Sequence, residues 1–238
     1  MQSKIEKIWC IVPAAGIGSR MGSTIPKQYL KLSSSTILDA TLERLLSCEK
    51  INDIVVCIQK GDDYWHKSLF VNDNRITVAE GGNERADSVL NGISLIKDKI
   101  GLNDWVLVHD AARPCVRRND IDLLTKAACN HQSGAILASP IHDTVKRVIN
   151  NLSEKTLDRS EIWHALTPQV FKFKELEQAL ISARKAGLSV TDEASAIEQI
   201  DKPVQIIEGH ADNIKITSPA DLGLARYYLE QQGKEQCG

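Results

Sequence analysis

Short apolar runs alternate with amphipathic stretches along most of the chain, and this rhythm is the strongest constraint on its fold. The runs are Ile8–Val12, Asp53–Ile58, Ile76–Ala79, Trp105–His109, Ala135–Ala138 and Val204–Ile207. Their near-continuous hydrophobicity suits strands buried on both faces of a parallel sheet. Between them, Thr36–Leu46 places Ile37, Leu38, Leu42, Leu45 and Leu46 along one side of a helix. Asn83–Ile96 does the same with Ala86, Val89, Leu90, Ile93 and Ile96. Asp120–Ala128 and Phe173–Ala186 are further helices. A last helix starts at Ser218 as N-cap, with Pro219 in its first turn and Asp221 behind it. The alternation predicts an α/β fold of three layers with right-handed crossovers.

The chain has 238 residues, a size ordinary for one domain, and we read residues 1–238 as one unit. Residues 143–159, DTVKRVINNLSEKTLDR, break the rhythm. Val145 and Val148 alternate with polar residues, and Asn150–Asn151 is a turn signal. This is a hairpin arm with too few apolar residues to pack alone. It either lies against another surface, such as a second subunit, or is a surface hairpin. The tail from Gln231 to Gly238 reads as frayed.

Composition excludes several partners. The formal net charge is −2, from 29 basic and 31 acidic residues, which gives no reason to expect nucleic acid or a membrane surface. No apolar stretch approaches the ~20 residues that span a bilayer, and the polar Met1–Lys7 does not resemble a signal peptide. Cys10, Cys48, Cys57, Cys115, Cys129 and Cys237 form no C-x-x-C pair. They read as reduced thiols of a cytoplasmic protein rather than disulfides or a zinc site.

Chemistry concentrates in Pro13-Ala14-Ala15-Gly16-Ile17-Gly18-Ser19-Arg20-Met21-Gly22, directly after the first strand. Small residues at Ala14, Ala15, Gly16 and Gly18 let a backbone approach a ligand and turn its N–H groups toward phosphate oxygens. The glycines alone are equally compatible with a tight strand-to-helix turn. No Gly-Lys-Ser/Thr follows, so this is not a P-loop. Met21 occupies the third glycine of a dinucleotide fingerprint, and no acid ends a second strand at the required distance, which disfavours a nicotinamide dehydrogenase. Arg20 and Lys27 add two cations next to the loop. Such a pair can hold a triphosphate and stabilise charge on a transferring phosphoryl group.

The run PAAGIGSRMG…PKQYL, with GGNERADSV at 81–89, VHDAARP at 108–114, WHALTPQ at 163–169, TDEASA at 191–196 and ADNIKIT at 211–217, resembles the 2-C-methyl-D-erythritol 4-phosphate cytidylyltransferase family. The blocks span nearly the full chain. A sister family acting on ribitol 5-phosphate shares the first loop, and the later blocks favour the methylerythritol enzymes. The resemblance implies a Rossmann-like nucleotidyltransferase fold with a mostly parallel sheet and a protruding β-hairpin. It implies a homodimer using CTP and a sugar-alcohol phosphate, with Mg²⁺ as cofactor.

The resemblance also assigns roles. Gly82, Asn83 and Ser88 would read cytosine and ribose; Asn83 stands where some members carry Asp, and it could equally cap the following helix. Asp110 and Asp212 would hold the metal. Arg20, Lys27, Arg159 and Lys215 would be catalytic, Lys215 meeting the α-phosphate. Arg113, Thr144, Arg159, Thr167 and Thr191 would hold the methylerythritol phosphate. His109, His142 and His164 read as structural: a phosphate monoester has a second pKa of about 6 and is already an ionised nucleophile near neutral pH. No Ser, Cys or His constellation points to a covalent intermediate.

Overall fold

The computed structural model describes residues 8–131 and 134–235. Met1–Lys7 and Cys237 lie outside the described residues. A seven-stranded sheet organises the chain. It contains β1 (Ile8–Pro13), β2 (Ile51–Ile58), β3 (Ile76–Glu80), β4 (Trp105–Val108), β5 (Gly134–Pro140), β8 (Trp163–Lys172) and β9 (Val204–Glu208), in the order β3-β2-β1-β4-β8-β5-β9. The helices are α1 (Ile37–Leu46), α2 (Arg85–Ile96), α3 (Arg118–His131), α4 (Phe173–Lys185), α5 (Glu193–Glu198) and α6 (Pro219–Glu235).

The period of two in the strands makes the layers. Ile8, Cys10 and Val12 of β1 face the core shared with Leu38, Leu42 and Leu45 of α1 and Leu124 and Ala128 of α3. Trp9 and Ile11 face the opposite core, with Val89 and Ile93 of α2 and Leu176 and Leu180 of α4. Both faces of the sheet are thus covered, as the continuous apolar runs require. A third cluster seats α6, through Ala225, on Leu32, Ile37, Cys115 and Ile216.

Caps set the helix ends. Thr36 Oγ1 accepts from the Asp39 backbone N–H at 3.1 Å, and the Asp39 carboxylate accepts from the Thr36 N–H at 3.3 Å, a reciprocal capping box that starts α1. The Asp221 carboxylate accepts from the backbone N–H groups of Thr217 and Ser218, both at 2.8 Å, at the start of α6.

Two elements escape the sequence reading. β8 is central and antiparallel to both neighbours, β4 and β5. Pro168 inside it lacks a ladder donor and argues against a strand. The structure places that residue where the β5–β8 register shifts, between the pairs Ile136↔Gln169 and Ala138↔Ala165, so no ladder bond is lost there. α5 spans only six residues, too short to show a helical period. The tail also differs from expectation: α6 continues to Glu235, because Gln232 is buried and donates to the Cys115 carbonyl at 3.0 Å.

The hairpin forms as a separate two-stranded sheet of β6 (Val145–Ile149) and β7 (Leu152–Leu157). Asn150 and Asn151 have φ of 49° and 64°. Two successive positive φ values make the tight turn whose twist matches the flanking strands. Val148, Ile149 and Leu152 on this hairpin are exposed.

Candidate active site

The chain order reverses at β1, which pairs with β2 on one side and β4 on the other. Ligands of open α/β sheets bind at such a switch point, beyond the carboxyl ends of the strands. There the ends of β1, β3 and β4 enclose a cleft of about 630 Å³, counting its open mouth. Pro13–Gly16, Lys27, Gln28, Gly82–Arg85, Ser88, Asp110–Ala112 and Lys215 line it.

Its walls are built by close backbone approach. The Ala14 N–H donates to the Cys57 carbonyl at 2.8 Å, and the Ala14 carbonyl accepts from Gln28 Nε2 at 2.5 Å. Gly18 has φ +66°, and a Cβ there would lie 2.8 Å from Lys27 Cγ. The loop therefore needs glycine both for its backbone and for the lysine stem crossing it. On the facing segment, a Cβ on Gly81 would lie 2.3 Å from the Ala15 side chain. Ser88 Oγ accepts from the Gly82 N–H at 3.0 Å and donates to the Glu84 carbonyl at 3.2 Å, shaping the turn into α2. The residue capping α2 is Glu84, whose N–H donates to the Asp87 carboxylate at 3.2 Å; Asn83 does not cap, and its exposed side chain is at the cleft.

Cations gather around Asp110. Lys215 Nζ lies 2.9 Å from Asp110 Oδ2, Arg85 Nε 2.9 Å from Oδ1, and Arg113 Nε 3.5 Å from Oδ2. Burial would push this carboxyl up, but Arg85, Lys215 and Arg113 together hold it far below the ordinary carboxylate range. Lys27 Nζ donates to the Ile216 carbonyl at 3.1 Å. Burial lowers the Lys27 pKa, and the nearby charges of Lys215, Arg20 and Arg113 lower it further against the pull of Asp110. Arg20, exposed on the single turn Ser19–Met21, is thereby placed on the Lys27 side of the site.

Beneath Asp110 lies a buried polar network. His109 is fully buried, and its Nε2 lies 3.0 Å from the Arg113 carbonyl. A carbonyl only accepts, so Nε2 carries the proton and Nδ1 accepts from the Thr167 hydroxyl at 3.1 Å. Thr167 Oγ1 accepts in turn from the Asp110 N–H at 3.1 Å. Burial pushes the His109 pKa down to about 4, so the ring is neutral and structural, as expected.

The structure thus brings Ala14, Ala15, Gly16, Lys27, Gly82, Asn83, Ser88, Asp110 and Lys215 to one cleft, with Gly18 and Arg20 beside it. Other expected residues stand elsewhere. Arg113 and Thr167 are buried under Asp110, the Arg113 NH1 donating to the Asn213 carbonyl at 2.7 Å. Thr144 and Arg159 are exposed at the base of the hairpin, where Arg159 donates to the His142 carbonyl, and Thr191 is exposed just before α5. Asp212 is held by partners other than those of Asp110: its Oδ2 lies 2.6 Å from Arg117 NH2 and accepts from Gln232 Nε2 at 3.0 Å.

Sequence reasoning missed Arg85, Gln28 and Glu193. Arg85 and Glu193 lie inside the GGNERADSV and TDEASA blocks, whose specificity was the available signal. Gln28 lies in PKQYL beside Lys27, and nothing local marks a side chain destined to hold a carbonyl 14 positions back.

A small-residue loop at a switch point, faced by two lysines and a buried aspartate, defines an α/β nucleotidyltransferase. The sequence model of the family 2-C-methyl-D-erythritol 4-phosphate cytidylyltransferase matches residues 8–231. The enzyme of that name from Photobacterium profundum is 50% identical over 235 residues, covering 97% of this chain and 99% of the relative. That from Actinobacillus pleuropneumoniae is 48% identical, over 95% of this chain and 97% of its own. The crystal structure of the Francisella tularensis enzyme superposes with a TM-score of 0.82 at 40% identity, covering 93% of this chain and 99% of that one. The chain belongs to the 2-C-methyl-D-erythritol 4-phosphate cytidylyltransferase family.

Proposed function

We propose that the site transfers CMP from CTP to 2-C-methyl-D-erythritol 4-phosphate, in the non-mevalonate route to isoprenoid precursors. A phosphate oxygen of the acceptor attacks the α-phosphorus of CTP in line. A new P–O bond forms, the bond to the β-phosphate bridge breaks, and pyrophosphate leaves with the electron pair. The convergence of the glycine loop, Lys27, Lys215 and Asp110 on one cleft carries this reading. Phosphoryl-type transfer needs positioning and charge stabilisation more than covalent chemistry. Backbone N–H groups of the loop cradle the triphosphate. Lys27 and Arg20 stabilise the five-coordinate transition state and the departing pyrophosphate. Asp110 holds Lys215 toward the α-phosphate. Gly82, Asn83 and Ser88 form the wall for cytosine and ribose.

Among the described residues no group of three or more His, Cys, Asp or Glu side chains is placed to hold a metal. That suits Mg²⁺, which binds through one or two carboxylates plus substrate phosphates and keeps several waters. Asp110 is the carboxylate we assign to it. Bound there, Mg²⁺ would neutralise charge on the triphosphate and favour departure of pyrophosphate.

Thr144, Arg159 and Thr191 are our proposed contacts to the acceptor phosphate, with Arg113 and Thr167 supporting Asp110 from beneath. The exposed Val148, Ile149 and Leu152 support a homodimer in which the hairpin lies on a partner subunit. Among the described residues five cysteines are free, four of them buried, which suits a reducing, cytoplasmic setting. No helix among the described residues is long and apolar enough to cross a membrane. Pyrophosphate release with CTP, ATP, GTP and UTP, each against methylerythritol phosphate and ribitol 5-phosphate, tests the reading. Turnover confined to CTP and the first acceptor is expected; comparable kcat/KM with ATP would overturn it.

A further inference from the structure

Arg85 opens α2 at the end of the segment that forms the nucleotide wall, yet two of its three nitrogens serve another part of the chain. NH1 and NH2 donate to Glu193 Oε1 and Oε2 at 2.7 and 3.0 Å, a two-pronged pairing. Nε donates to Asp110 Oδ1 at 2.9 Å. Glu193 is fully buried and opens α5, two residues after Thr191. The start of α5 is also tied to β8: the Gln169 side chain donates to the Asp192 carboxylate at 2.8 Å and accepts from the Ala194 N–H at 2.9 Å. One guanidinium therefore ties together the 82–88 segment, the Asp110 carboxylate of the cleft, and the start of α5. A lysine could reach one of these carboxylates but could not span both with a fixed fork.

We propose that Arg85 is a positioning residue that links nucleotide binding to acceptor binding, acting on the acceptor loop through Glu193 and on Lys215 through Asp110. This rests on the reaction proposed above. Its physical basis is shared pairing: a displacement of Asp110 or of the 82–88 wall by bound nucleotide moves Arg85, and the buried Glu193 follows because no other cation pairs with it among the described residues. The pair lies 108 positions apart in sequence, so it joins segments that share no local structure.

The test uses Arg85→Lys, which keeps the charge and loses the fork, and Glu193→Gln, which keeps the shape and loses the charge. Each variant is first checked for an unaltered thermal midpoint, and Glu193→Gln is judged alone if Arg85→Lys does not fold. Steady-state pyrophosphate release should show KM for the acceptor raised about tenfold or more, with KM for CTP within about threefold, the pattern of a misplaced acceptor subsite. The double variant should be no worse than the worse single one, since both break one link. Amide hydrogen exchange supplies a readout that needs no turnover. Adding CTP alone should slow exchange at residues 189–198 in the wild type and leave it unchanged in both variants. Wild-type turnover tests the reaction and the exchange tests the link, so either can fail alone. Folded variants with an unaltered acceptor KM, or with CTP-dependent protection equal to the wild type, would overturn the proposal.

Discussion

Lys27 is held by its stem against Gly18 and by its ammonium against the Ile216 carbonyl, 189 positions away. Lys27→Ala should lower kcat at least ~100-fold, the scale of losing one preorganised stabilising donor, and Arg20→Ala should behave alike. Near-normal kcat in either variant would remove that residue from the mechanism. Burial and its cationic neighbours lower the Lys27 pKa, and a lysine loses its charge as pH rises through that value. The alkaline limb of kcat/KM, which reports the free enzyme, should therefore fall at lower pH than for an ordinary lysine. Lys27→Arg should move that limb upward; an unmoved limb would assign it to another group. Asp110→Asn strips the one carboxylate shared by Arg85, Lys215 and Arg113. Activity in the wild type should vanish with EDTA and return with Mg²⁺, and the variant should need more Mg²⁺ for a smaller recovery. Full activity without divalent ions would refute the metal role.

Elements differ in how openly the sequence announces them. The hairpin is legible because Asn150 and Asn151 tolerate the positive φ values that the turn demands. α1 is legible because Ile37, Leu38, Leu42, Leu45 and Leu46 line one side of a helical stretch, and the structure adds the Thr36–Asp39 capping box that starts it. β8 is hidden by Pro168, whose placement at a register shift only the assembled sheet reveals. The hairpin carries a prediction at this scale. Deleting Ile149–Lys155 should weaken dimerisation and raise KM for the acceptor, since Thr144 and Arg159 stand at its base, while CTP affinity changes much less. Sedimentation and kinetics check both; a deletion that leaves the dimer and both KM values intact would make the hairpin a surface ornament. Thr36→Ala should cost about 1 kcal/mol of stability in urea unfolding, the usual loss of an N-cap, with kcat unaffected.

For the whole molecule, the sheet's two apolar faces hold the fold while its carboxyl edge holds buried charge, and the edge makes stability depend on pH. His109 has its pKa pushed down from 6.5 to about 4 by burial. The unfolded chain thus takes up a proton that the folded chain refuses as pH falls below 6.5. Stability from this residue is complete above the unfolded value and is lost as pH falls toward the folded one, a change on the order of 3 kcal/mol. Urea midpoints between about pH 7 and about pH 4.5 should fall more steeply for the wild type than for His109→Asn, because only the wild type carries this linked proton. Equal slopes would show that His109 is not the titrating group.

The sequence by itself determined what depends on neighbours in the chain. Strand and helix periods, the start of α6, the hairpin turn and the glycine loop beside Arg20 and Lys27 are all local patterns. Among the cleft residues, Ala14–Gly16 were legible as a small-residue loop directly after the first strand, whereas Gly82, Asn83, Ser88, Asp110 and Lys215 were legible through the family resemblance of the blocks that hold them. The tertiary structure alone decided which of the charged residues meet. Asp212 and Asp110 carry the same side chain, yet one pairs with Arg117 and the other with Lys215, Arg85 and Arg113. Thr167 and Arg113 went beneath the site, and Arg85 found Glu193 across 108 positions. Such pairings follow from strand order and from the cost of burying an unpaired charge, and neither leaves a mark on the residues adjacent in sequence.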